Sequence, residues 1–142
     1  MDLVARLQAA LRDAGIGSVV GGSGLLASLG LVDTVNDWDL VTDGDEAAVA
    51  EVLRALGLPA APDAGDPGGF ATRALHRLER DGEQVDLLVG FAIRTPDAVV
   101  RIPAAPGGTW RGLTMARPED WRVAYSAMGR SDKAALLGGR AR

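Results

Sequence analysis

Asp37 and Asp39 flank Trp38 in the run Asn36-Asp37-Trp38-Asp39-Leu40-Val41-Thr42. The alternation reads as a strand, and residues two apart on a strand face the same way, about 6 to 7 Å apart. Two carboxylates on one half-buried face repel each other and lose hydration. A divalent cation removes both penalties. A third acid, Asp86, interrupts the apolar run Gln84-Val85-Asp86-Leu87-Leu88-Val89. If the strand over 83–90 lies beside 36–42, three acids converge. Three carboxylates can hold two ions about 4 Å apart, an arrangement that activates an attacking oxygen and stabilises a leaving phosphate. Asp37, Asp39 and Asp86 are thus the candidate metal ligands and catalytic residues.

Gly21-Gly22-Ser23 supplies a complementary element. It follows the apolar Val19-Val20 and opens a short helix. Bare backbone N–H groups at such a turn approach phosphate oxygens closely, and a helix start favours anions. The Ser23 hydroxyl adds a donor. Glycines between strand and helix are common, so the order carries the reading: glycine-serine turn, short helix, paired acids, then a third acid on a later strand.

Composition narrows the chemistry. The 142 residues include no cysteine and one histidine, His76. Disulfides, thiolate zinc sites, a cysteine nucleophile and a histidine-rich metal site are excluded. Any metal is held mainly by oxygen, which favours Mg²⁺ or Mn²⁺. The formal charge of −4 is no footprint for nonspecific nucleic-acid binding, although it leaves room for a local basic patch. No apolar run is long enough to cross a bilayer, so no membrane partner is expected. The opening Met1-Asp2-Leu3-Val4 reads as an amphipathic helix and not a signal peptide, which makes the cytoplasm the expected location.

The elements that must position these residues follow from periodicity. Leu3, Val4, Leu7 and Leu11 share a helical face over 3–14, with Asp2 as cap and Gly15 as stop. A strand at 18–20, a short helix over 24–31 and a strand at 36–42 come next. Asp43 and Glu46 have capping-box spacing for a helix over 45–56 that Gly57 closes. Residues 58–70 read as a loop. Two strands, 71–80 and 83–90, meet at Asp81-Gly82, a hairpin turn that sets Arg77 opposite Asp86. Two further short strands are expected over 97–115. Pro118 starts a helix running to Gly129, and Ser131 caps a last short one before the Gly138-Gly139-Arg140 tail. This mixture predicts one α/β domain over 1–142, a mixed sheet with helices packed on it.

The pattern resembles the nucleotidyltransferase superfamily, the group related to DNA polymerase beta, kanamycin and lincosamide nucleotidyltransferases and the AbiEii-type toxins. Its hydrophobic strand, Gly-Gly or Gly-Ser, helix, Asp-x-Asp and later Asp correspond to Val19-Val20-Gly21-Gly22-Ser23, Asp37-Trp38-Asp39 and Asp86. The segment 116–137 is similar to the following helix and basic motif. Two positions differ: Asp33 stands where many relatives carry an arginine, and Arg130-Ser131-Asp132-Lys133 exchanges the last two residues of Arg-x-Lys-Asp. The resemblance implies an α/β fold with a nucleotidyltransferase-type mixed sheet and Mg²⁺-dependent transfer of a nucleoside monophosphate from an NTP. The acceptor is a hydroxyl-type group on a small molecule such as an antibiotic, on a tRNA end or on a protein. It implies metal ligation by Asp37, Asp39 and Asp86, and nucleotide contacts from Gly21, Gly22, Ser23, Arg77, Arg130 and Lys133. The chain has no room for the extra domain that many relatives use for the acceptor, so a homo-oligomer that completes the pocket is expected.

Plainer readings stand beside these. Asp37 and Asp39 can be ordinary acids on an edge strand, and Asp86 can form a cross-strand ion pair with Arg77. His76 has the opposite strand parity to Asp86 and reads as structural or superficial. Trp38 reads as core, as do Trp110 and Trp121, for which interface and base stacking are alternatives. The rival class is a non-catalytic binding module of the same fold: an antitoxin, a regulator or an oligomer subunit.

Overall fold

The computed structural model describes residues 1–63 and 71–140. The first helix, α1 (Asp2–Asp13), buries Leu3, Val4, Leu7 and Leu11 as their spacing requires. It starts one residue earlier than expected: Met1 is its cap position, and Asp2 lies in its first turn. Its free N–H groups are satisfied from across the molecule, Leu3 and Val4 donating to the two Glu83 oxygens at 3.1 and 2.9 Å. Gly15 takes the positive φ of 78° that ends the helix.

A three-residue strand, β1 (Val19–Gly21), runs into α2 (Gly22–Ser28), and β2 (Asp37–Thr42) follows. The helix α3 (Glu46–Ala55) is capped by Asp45, whose Oδ2 accepts from Ala48 N at 3.0 Å, and not by Asp43. Asp43 instead accepts from Ala104 N. The loop expected over 58–70 carries no helix or strand up to Asp63, and its stretch 64–70 lies outside the described residues. The hairpin of β3 (Ala74–Arg80) and β4 (Glu83–Val89) turns at Asp81 and Gly82, both with positive φ, and pairs Arg77 with Asp86 as expected.

Beyond the hairpin the chain makes four short strands, twice the number expected: β5 (Ala92–Arg94), β6 (Val99–Arg101), β7 (Pro106–Trp110) and β8 (Leu113–Ala116). Pro118 opens α4 (Pro118–Ala127), and α5 (Ser131–Arg140) includes Ser131 and the glycines assigned to a tail. The main sheet has the order β3-β4-β2-β1-β8-β7, and β5-β6 forms a separate two-stranded ribbon. The pairs β2–β4 and β1–β8 are parallel, and the other three are antiparallel. The sheet is therefore mixed, with α1 packed against β2, β4 and α3, and α4 against β5 and α5.

Gln8 ties α1 to the sheet. It is buried, its Nε2 donates to the Ser18 and Thr114 carbonyls at 3.1 Å each, and its Oε1 accepts from Thr114 N at 2.9 Å. One amide thus satisfies three backbone groups on β8 and at the approach to β1. Gln8→Leu strands all three in an apolar setting. It is expected to destabilise by about 1–3 kcal/mol, read as a lower urea midpoint with an unchanged slope.

Candidate active site

Backbone pairing assembles the site. Gly21 pairs with Asp39, Asp39 with Asp86, and Asp86 with Arg77. These four residues form one row across β1, β2, β4 and β3, and paired residues in a sheet share a face. Asp86 is therefore beside Asp39, on the same side of the sheet. Asp37 pairs with Gln84 in the next row on that face.

Two glycines clear the space above the row. A Cβ on Gly21 would lie 2.0 Å from the Trp121 ring, so α4 can lay that ring directly over the end of β1. A Cβ on Gly22 would lie 2.0 Å from Asp39 Oδ2, and Gly22 adopts a positive φ of 55°. The close approach and the left-handed turn both require glycine here. Trp121 continues into an aromatic row with Phe91 and Tyr125, at centroid distances of 5.3 and 5.4 Å. Tyr125 follows Trp121 by four residues and so faces the same way on α4.

Above the row lies a cavity of about 500 Å³ whose lining includes Ser23, Asp39, Asp86, Arg77, Arg130 and Lys133. Six of the nine predicted site residues thus meet in one space. Gly21 and Gly22 are absent from its lining and act through what they leave room for. Asp37 is exposed and also absent from the lining. Among the described residues, no group of three or more acids or histidines is gathered closely enough to hold a metal ion.

The electrostatics follow from this packing. Burial, then the charges of Asp86 and Asp37, push Asp39 up to about 7, and Lys133 opposes the rise. Burial raises Asp86 as well, although the Gln84 hydrogen bond and the Arg77 charge offset part of it. Gln84 Nε2 donates to Asp86 Oδ1 at 3.2 Å. Arg77 lies opposite Asp86, but its ion pair is with Asp63, at 3.7 Å. The cross-strand pair read from the sequence is therefore replaced by Gln84 on one side and an Arg77–Asp63 contact on the other. Burial, followed by the Asp39 charge, raises Tyr125 too.

His76 is buried, and its Nδ1 has no hydrogen-bond partner among the described residues. It pairs with Leu87, on the face away from Asp86. Trp38 is buried on that same face, packed beside Gly24. Sequence reasoning missed Asp63, Thr72, Arg73, Phe91, Arg94 and Tyr125, all of which line the cavity. Only Tyr125 carried a local signal, its helical spacing from Trp121. The others reach the site through the tertiary course of the loop ends and the β5–β6 ribbon.

With this geometry in view, comparison with solved structures defines the fold. The chain matches a suggested nucleotidyltransferase of Thermotoga maritima with a TM-score of 0.68 and 21% identity, over 97% of this chain and 89% of that one. It also matches ANT(2'')-Ia in complex with adenylyl-2''-tobramycin, with a TM-score of 0.59 and 17% identity, over 99% and 88% of the two chains. A solution structure of the antibiotic-resistance factor ANT(2'')-Ia gives the same TM-score and identity, over 99% and 83%. The chain has the nucleotidyltransferase fold. No family model matches it, and no curated protein does.

The raised Asp39 group has a measurable consequence. Its folded value exceeds the unfolded one, so the unfolded chain gives up this proton first as pH rises. Stability is lost as pH rises from about 4 through about 7. In chelator, Asp39→Asn removes the carboxylate and is expected to raise Tm at pH 8. The difference should shrink as pH falls and vanish below about pH 4, where the group is protonated in the folded and the unfolded chain alike. Equal melting at pH 8 would show that Asp39 is not held in a setting that disfavours its charge.

Proposed function

We propose that this chain transfers a nucleoside monophosphate from an NTP to a hydroxyl-type acceptor, releasing pyrophosphate, with Mg²⁺ or Mn²⁺ as cofactor. The observation that carries this reading is the pairing of Asp39 with Asp86 on adjacent parallel strands, at a cavity also lined by Ser23, Arg77, Arg130 and Lys133. The carboxylates fit a hard divalent ion. They share one face, they repel each other, and Gly22 leaves the gap in which the Asp39 oxygen sits.

Each side chain then has a role. Asp37, Asp39 and Asp86 would hold the metal, Asp37 swinging in from its exposed position. A bound divalent ion would supply charge neutralisation along the triphosphate and acidify the acceptor hydroxyl. Asp86 takes the acceptor proton, or holds the ion that weakens its bond. The Ser23 hydroxyl, which lines the cavity, would reach the β- and γ-phosphates, with Gly21 and Gly22 leaving room beneath for Trp121 and Asp39. Arg77, Arg130 and Lys133 give charge-assisted hydrogen bonds to phosphate oxygens. The acceptor oxygen bonds to the α-phosphorus as the bond from that phosphorus to the bridging oxygen breaks, and pyrophosphate leaves with the electron pair.

A non-catalytic module of the same fold is the second reading, favoured by Asp33 in the arginine position and by the exchanged Asp132-Lys133. A thermal shift with each NTP, with and without Mg²⁺, separates the two. An enzyme is stabilised by NTP and metal together, by RT ln(1 + [L]/Kd). Asp39→Asn is expected to abolish the metal-dependent part of that shift. Asp86→Asn is expected to lower pyrophosphate release by about 10²-fold or more. No shift with any NTP and metal, and no pyrophosphate, would leave the binding module standing.

A further inference from the structure

The cavity extends past the row of Asp39, Asp86 and Arg77 toward further arginines. At one end lies the Asp39–Asp86 row. Along β3, two residues beyond Arg77, comes Leu75, which pairs with Leu88, and both line the same cavity. Arg73 lies two residues further, about 13 Å from Arg77 at the rise of an extended chain. It crosses the place where a side chain on Gly90 would be: a Cβ there would lie 2.3 Å from Arg73 Nε. A second hollow, of about 350 Å³, continues from this point and shares Arg73 and Phe91 with the first. Its lining adds Arg101.

Arg94 lines the first cavity and Arg101 the second, and both belong to the β5–β6 ribbon. Ala92 pairs with Arg101 and Arg94 with Val99, so the two arginines share one ribbon face. Arg73, Arg94 and Arg101 have no carboxylate partner among the described residues. Among the described residues, Arg73 donates to the Asp43 and Gly44 carbonyls. Asp43 is the one carboxylate lining this end, and its Oδ2 already accepts from Ala104 N.

We infer that this arginine-lined end recognises phosphate groups on the acceptor, so that the substrate class is a phosphate-bearing hydroxyl compound. The inference rests on the transferase reading above and names its second substrate. Guanidinium groups bind phosphate through paired, planar hydrogen bonds, and three of them spaced along a groove match more than one phosphate. A polycationic acceptor of the tobramycin kind would meet like charge here. The phosphate can come from a sugar phosphate or from the 3′ end of an RNA strand.

The test titrates the full chain at low salt with three probes: a short single-stranded RNA bearing a free 3′-hydroxyl, glucose 6-phosphate and tobramycin. At least one phosphate-bearing probe is expected to bind more tightly than tobramycin, and which one does so identifies the source. For the RNA, log K should fall with log salt by a slope that drops by roughly 0.7 for each arginine removed. The double variant Arg94→Gln/Arg101→Gln spares Arg73 and its backbone contacts. It should bind the preferred probe at least tenfold more weakly while melting at the parent's Tm without ligand. Tighter binding of tobramycin, no binding of either phosphate probe, or an unchanged affinity in the double variant would overturn the inference. Loss of the NTP–Mg²⁺ shift in the parent would instead remove the transferase reading, and the phosphate titration would remain a separate result.

Discussion

The burial of two carboxylates side by side, Asp39 and Asp86, is the constraint around which this molecule is arranged. The two carboxylates are brought side by side by the parallel pairing of β2 and β4, which also matches Leu40 with Leu87 and Val41 with Leu88. Slipping the register by one residue would relieve the repulsion and turn those apolar side chains out of the core. Burial of the rest of the strand thus fixes the acids in an unfavourable position. Among the described residues, no buried basic partner relieves it. Gln84 gives one hydrogen bond to Asp86, and Lys133 offsets part of the charge on Asp39. Strain that a scaffold imposes on its polar groups is characteristic of functional sites, where stability is given up for reactivity.

The glycine turn serves the same constraint. Gly22 gives Asp39 its space, and Gly21 lets Trp121 close over the row. Trp121 is buried and lines the same cavity as the acids. The dipeptide that reads as a phosphate loop therefore has a packing role toward the acids themselves, whatever the bound ligand. Either glycine replaced by alanine would force a large group aside, the ring in one case and the carboxylate in the other.

Much of this was legible in the sequence because it is local. Period-two alternation put Asp37 and Asp39 on one face, and Asp81-Gly82 fixed the register that sets Arg77 opposite Asp86. The parallel neighbour relation of β2 and β4 was only a condition in the sequence, since nothing local encodes which strands pair. The capping of α3 was misassigned because Asp43 and Asp45 both suit a helix start, and only the Asp43 contact with Ala104, 61 residues away, separates them. The cap of α1 was invisible for the same reason: Glu83 lies on another element. The strands after residue 90 are three to five residues long, too short for any periodicity to emerge.

The same distinction explains the charge of the site. A net charge of −4 argues against an anionic partner only if the charges are spread evenly, and they are not. Asp39 and Asp86 adjoin in one row, and guanidinium groups without a carboxylate partner among the described residues stand at Arg73, just before β3, and on the β5–β6 ribbon. Fields from fixed charges decay over a Debye length of about 8 Å in physiological salt, which is shorter than the separation of the two ends. The Asp39 row, with Arg77, Arg130 and Lys133 in the same cavity, presents both signs to a ligand, and the Arg73–Arg101 end presents mainly positive charge. A substrate spanning both would be oriented by that gradient, its phosphates drawn to the arginines and its reactive hydroxyl directed toward the acids. Net charge measures none of this, because what orients a ligand is the local sign within one screening length.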